Sequence, residues 1–215
     1  MRQVTKARRV ITALLLCCGA GAVLYPTVVR PWFLRWGATP AEVHKSLPGD
    51  DVVPGATASA TRAITIQAPP ERVWPWLAQI GQGRGGFYSY TWLENLAGCQ
   101  IVNAERIHPE WQGIKPGDGV RMHPRIPPAP VLVAERNRTL VLGIAEGSVD
   151  IPPLSWAFVL DPAPGNATRL LIRWRSRPSH RLSDLLLNKY LLEPVHFVME
   201  RKMMYGIRQR SERAS

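Results

Sequence analysis

Cysteine is scarce: three residues in 215. Cys17 and Cys18 fall within one apolar run, so Cys99 stands alone outside it, and a domain stapled by internal disulfides is excluded. The motifs of nucleophilic and zinc hydrolysis are also missing, since the chain contains no Gly-x-Ser-x-Gly, no His-Glu-x-x-His and no Cys-x-x-Cys. No Lys-Ser/Thr pair completes a phosphate-binding P-loop. Seventeen glycines and twenty prolines, without period, rule out a collagen-like or low-complexity chain. What is present is enough apolar residue, 46% against 20% charged, to build a core and exclude wholesale disorder.

Positive charge dominates, +11 overall, but unevenly. Residues 1–36 hold six basic and no acidic groups, and residues 161–215 hold eleven basic against five acidic, while residues 61–160 are almost balanced. Basic ends on a neutral middle fit a protein facing anionic lipid better than a nucleic-acid domain, so no nucleic-acid partner is expected.

Val10 to Val29 is a run of twenty residues without a charge, about the length that spans a bilayer as a helix. Arg2, Lys6, Arg8 and Arg9 precede it and Arg30 and Arg35 follow. That balance places residues 1–9 inside and the rest of the chain outside, as a single-pass protein of the cell membrane with an extracytoplasmic domain. A cleaved signal peptide ending near Ala20-Gly21-Ala22 is the competing reading. Residues 30–60 read as a linker, the part from Gly37 to Ala60 having neither helical nor strand period.

From Thr61 the pattern becomes period two. Arg62, Ile64, Ile66 and Ala68 share one face of a strand, and Pro69-Pro70-Glu71 opens a helix to about Ile80. Gly81, Gly83 and Gly86 match the dinucleotide fingerprint literally, yet they follow a helix rather than a strand and read as a turn. A short helix at about Ser89–Ala97 and strands near Gly119–Met122, Val131–Arg136 and Thr139–Ile144 come next. Leu154–Asp161 puts Leu154, Trp156, Phe158 and Leu160 on one face. In Thr168–Arg177, Leu170, Ile172 and Trp174 alternate with Arg169, Arg173, Arg175 and Arg177, which predicts one buried and one wet face. Helix follows to about Arg213, with Leu192, His196, Met199, Met203 and Ile207 on one stripe. The order predicts an α+β fold with a curved antiparallel sheet around a long C-terminal helix.

Thr61–Gly86 (TRAITIQAPPERVWPWLAQIGQGRGG) and Glu193–Ile207 (EPVHFVMERKMMYGI) resemble the START-like superfamily, also called SRPBCC, which includes polyketide cyclases and lipid-transport proteins. The resemblance covers residues 61–213 and implies a helix-grip fold with an apolar cavity between sheet and terminal helix. The superfamily has no common catalytic motif, so no functional residue carries over by position, and no cofactor is expected.

Three functions remain open on these residues. The first is a membrane-tethered domain that binds a hydrophobic small molecule or lipid. Here Trp156, Phe158, Trp174, Met199 and Met203 surround the apolar part, and His196, Glu193 and Glu200 orient the polar end. The second is a cyclase- or dehydratase-like enzyme with His196, tuned by Glu200, as general acid–base. The third is an interaction module using the Arg169–Arg177 face. His196 reads more simply as a core histidine satisfied by Glu200 or by a backbone carbonyl. Glu193-x-x-His196 is half of a carboxylate-bridged dimetal motif whose other half is absent, so no metal is expected.

Overall fold

The computed structural model describes residues 24–144, 153–177 and 181–213. It divides into two compact units, one ending at Leu34 and one beginning at Arg35. In the first, a π-helical turn, Tyr25–Val29, runs into the short helix α1 (Arg30–Leu34). The Arg30 N–H bonds back to Tyr25 O, and the rings of Tyr25 and Phe33 lie 6.2 Å apart. Most of the apolar run at 10–29 lies outside the described residues. Among the described residues no helix is long and apolar enough to cross a membrane.

The second unit is α+β, as expected. Six strands form one antiparallel sheet in the order β1-β6-β5-β4-β3-β2: β1 (Ala58–Ile66), β2 (Gly119–Val120), β3 (Ala129–Glu135), β4 (Thr139–Ile144), β5 (Leu154–Ala163) and β6 (Ala167–Ser176). Gly165 and Asn166 take positive φ in the turn joining β5 and β6, where glycine and asparagine tolerate it best. Rows of side chains run across the inner face. Arg62, Ile172, Phe158 and Leu140 make one row, and Ala60, Trp174, Trp156 and Leu142 the next.

Helix α3 (Pro70–Ala78) packs Val73, Trp74 and Leu77 into this core. Its last carbonyls, which no helical N–H can reach, are taken by side chains: Tyr88 donates its hydroxyl to Trp76 O at 3.1 Å, and Arg84 donates to Ala78 O at 2.9 Å. The glycine-rich segment closes on itself through Gly81 N–H to Gly86 O and Gly86 N–H to Gly81 O, both 3.0 Å. It is a turn that returns Arg84 to the helix end, as its place after a helix suggested.

The C-terminal region is one helical path: α5 (Leu182–Leu187), a π-turn at Asn188–Leu192, and the 20-residue α6 (Glu193–Glu212). Met203 and Ile207 of the expected stripe are buried, with Phe197, Glu200 and Met204 beside them, whereas Leu192 falls in the π-turn before α6, outside its 3.6-residue period, and is exposed. Gly206 permits close contact with the chain at Tyr88, since a Cβ there would lie 2.4 Å from Tyr88 O.

From Arg35 onward the segment read as a linker is part of this unit, and its last three residues, Ala58–Ala60, already belong to β1. It contains a capped helix, α2 (Pro40–His44), in which Thr39 Oγ1 accepts from Glu42 N–H and Glu42 returns the bond to Thr39 N–H. It lies along the face of β6 that was expected to be wet. Arg173 is 4% exposed, and its guanidinium donates to Glu42 O, Val43 O and Lys45 O, to Asp50 Oδ2 and to Thr61 Oγ1, all at 2.7–2.9 Å. Arg169 forks onto both oxygens of Glu42 at 2.8 and 2.9 Å, which holds that carboxyl down at about 2. Arg175 pairs with Asp50, and Arg177 bonds Pro54 O. The arginine face is therefore covered by the chain's own residues. The Arg169–Arg177 face is not the open surface that an interaction module was expected to use, since each of its four arginines bonds within the chain.

Candidate functional site

The sheet's inner rows and α6 do not meet everywhere. Toward the Phe158–Leu170 side, Met203, Met204 and Ile207 complete the core. Toward the Trp156–Trp174 side they leave a cavity of about 250 Å³. Its floor is Trp156, Trp174 and Leu154 from the sheet, and its roof is His196, Met199, Glu200 and Met203 from α6. Phe87, Ser89, Glu94, Cys99 and Ile101 form the side wall, together with Met122.

Two asparagines fix that side wall. Asn103 Oδ1 accepts from the N–H groups of Phe87 and Tyr88, while its amide donates to Ser89 O and Thr91 Oγ1, at 2.7–3.1 Å. Tyr88 is held there at φ 57. The side-chain amide of Asn95, in helix α4 (Thr91–Leu96), pairs with Ile101 in both directions, at 3.0 and 2.6 Å. Ser89 Oγ donates to Met199 O at 2.9 Å and ties the wall to α6.

Of the residues expected to bind a ligand, His196, Glu200, Met199, Met203, Trp156 and Trp174 line the cavity. Phe158 and Glu193 do not. Phe158 is fully buried one row behind, its ring 4.7 Å from that of Trp156, and so serves the core.

Glu200 is a structural acid. It is 3% exposed, it forms an ion pair with buried Arg62, and its Oε1 accepts from Trp156 Nε1–H at 2.9 Å. His196 Nε2 is 3.7 Å from the same oxygen, beyond hydrogen-bond reach, so Glu200 does not orient the imidazole as a general base would require. The imidazole meets Arg62 instead, with Nδ1 at 3.4 Å from Arg62 Nη1. A guanidinium only donates, so Nδ1 accepts and the ring proton sits on Nε2. Burial is the largest influence on His196 and pushes its pKa below the ordinary value; Glu200 opposes this and Arg62 adds to it. The ring is neutral at pH 7, between Trp156 and Trp174 at 6.2 and 5.9 Å.

Two residues of this arrangement escaped the sequence reading. Arg62 was placed on the apolar face of β1, and an arginine among Ile64, Ile66 and Ala68 was itself the sign of a buried partner. Glu94 gave no such sign. It is 3% exposed in a helix whose apolar residues Trp92 and Leu96 face outward, and burial raises its carboxyl to about 7. Arg84 and Tyr88, beside the glycine turn, are engaged elsewhere and do not rim the cavity.

No family model matches the chain, and no curated protein does. Solved structures with a similar course of chain include protein MLL2253 from Mesorhizobium loti, at 16% identity and TM-score 0.44, covering 74% of this chain and 99% of that one. The KanY protein matches at 14% identity and TM-score 0.46, again covering 74% and 99%. A protein from Thermus thermophilus matches at 16% and 0.40, covering 72% and 97%. Likeness at this level carries no argument about activity.

Proposed function

We propose that the protein is a membrane-tethered binding domain for a hydrophobic small molecule or lipid, held between the sheet and α6. The observation that carries this reading is the cavity itself: about 250 Å³, walled by Trp156, Trp174, Phe87, Met199 and Met203, where protein interiors ordinarily close-pack. A dry cavity of ~150 Å³ already takes up benzene, so this one has room for a ring with substituents or a short alkyl chain. A two-chain lipid needs more, and only part of one would enter.

The tether reading rests on the uncharged run at 10–29 and its basic flanks. Leu182, Leu185, Leu186, Leu187, Leu191 and Leu192, all exposed, add an apolar surface just before the helix that roofs the cavity. The resemblance of residues 61–86 and 193–207 to the START-like superfamily agrees with a ligand-holding role.

The test is to extract the full chain in detergent and identify by native mass spectrometry what leaves with it. A bound apolar molecule displaced by Trp156→Ala is the expected result. A ligand-free protein whose tryptophan fluorescence ignores a neutral probe such as 1-hexanol would refute it.

A further inference from the structure

The cavity contains an ionisable group that neither the fold nor the reading above uses. Glu94 lines it, is 3% exposed, and has its Oε2 buried without a hydrogen-bond partner. Glu200, across the same space, shows how this fold treats a buried acid that belongs to the scaffold: Arg62 and Trp156 satisfy it. Among the described residues nothing comparable meets Glu94. Among the described residues lining the cavity there is no lysine or arginine. His196 is neutral, Arg62 is engaged by Glu200, and Cys99 supplies only a thiol whose pKa is raised by burial and by Glu94 itself.

A buried carboxyl left in this condition is costly, and such costs persist where a bound molecule supplies the missing half. The surroundings narrow what that molecule is. An anion would meet two carboxylates and no free cation. A neutral alcohol or ketone would leave the negative form of Glu94 unbalanced. An organic ammonium answers both the carboxylate and the rings of Phe87, Trp156 and Trp174, whose faces attract cations.

We propose that Glu94 is the recognition group for a protonated amine carried on a small apolar body, with the ammonium against its carboxylate and the body against Trp156 and Trp174. This rests on the reading that the cavity admits an apolar ligand. Binding of such an amine strengthens as pH rises through the range in which Glu94 ionises, about 7, and levels off above it. His196, Glu200 with Arg62, and Cys99 face the same space. Of these, burial lowers the pKa of His196, and burial with Glu94 raises that of Cys99, so the Glu94→Gln comparison is what separates the Glu94 titration from theirs.

The experiment titrates the full chain with n-hexylamine, 1-hexanol and hexanoate, near pH 6 and near pH 8, by calorimetry. The expected result is hexylamine bound about tenfold more tightly than hexanol near pH 8, with a smaller margin near pH 6 and hexanoate weakest. Glu94→Gln removes the margin and leaves hexanol binding in place. In the unaltered protein, carboxyl-carbon NMR shows the Glu94 titration moving downward with hexylamine and not with hexanol, which covers the case in which the variant does not fold. Hexanol bound as tightly as hexylamine, or a margin that survives Glu94→Gln, overturns the amine assignment alone. Failure of all three compounds to bind overturns the cavity reading with it.

Discussion

Replacing Glu94 with glutamine changes how stability follows pH, and the size of the change is set by where the carboxyl sits. Burial raises it from 4.5 to about 7 in the folded protein, while the unfolded chain keeps the ordinary value. Below pH 4.5 both states hold the proton, and nothing depends on pH. Between 4.5 and about 7 the folded state keeps a proton that the unfolded chain has released, so stability falls as pH rises. Above that range both are ionised and the loss is complete, about 3 kcal/mol at ~1.36 kcal/mol per pH unit of separation. With only 3% of the residue exposed, water screens little of this. Glutamine does not titrate, so the stability difference between variant and parent should grow by about 3 kcal/mol from low to high pH. His196 also responds to acid, but it does so in both proteins and cancels in the difference. Urea denaturation of both full-length chains, followed by tryptophan fluorescence at several pH values, measures it. A difference that stays constant from about pH 4.5 to about pH 8 would refute the reasoning, because it would mean that the carboxyl titrates as though in water.

Arg62→Met strands the Glu200 charge in the core and should cost about 3–5 kcal/mol, whereas Arg62→Met combined with Glu200→Leu should cost less than the single change; denaturation midpoints compare them. Gly206→Ala drives a methyl group against Tyr88 O and should lower stability by about 1–3 kcal/mol, read as a drop in melting temperature. Arg173→Met removes the donors that hold residues 42–50. Hydrogen exchange should then quicken across residues 37–56 while the β5–β6 pairing keeps its protection.

Much of the fold was legible because alternation and helical period are local. The run Leu154–Leu160 and the triplet Leu170, Ile172, Trp174 pointed inward, as their period-two spacing required. His196, Met199, Glu200 and Met203 shared one side of a helix and share one cavity roof. What local pattern did not reveal was pairing over long distance. Arg62 and Glu200 are 138 positions apart, and neither has a neighbour in sequence that announces the other. Glu94 was hidden by inversion: α4 exposes Trp92 and Leu96 and buries its acid, the reverse of the amphipathic rule. The arginines of β6 looked like a solvated face because the segment covering them has no period of its own. It binds partly through main-chain oxygens, which leave no mark in a sequence, and partly through Glu42 and Asp50, which lie more than 100 positions from the arginines they meet.

The guanidinium of Arg173 grips the peptide carbonyls of Glu42, Val43 and Lys45 rather than their side chains. Those three bonds depend on the course of the backbone rather than on the side chains at the three positions, so an insertion or a misplaced proline breaks them directly. A pull on the chain at Arg35 meets β1 first, through Trp36 O accepting from Ala63 N–H at 3.1 Å, and reaches the Arg173 clasp only after that bond.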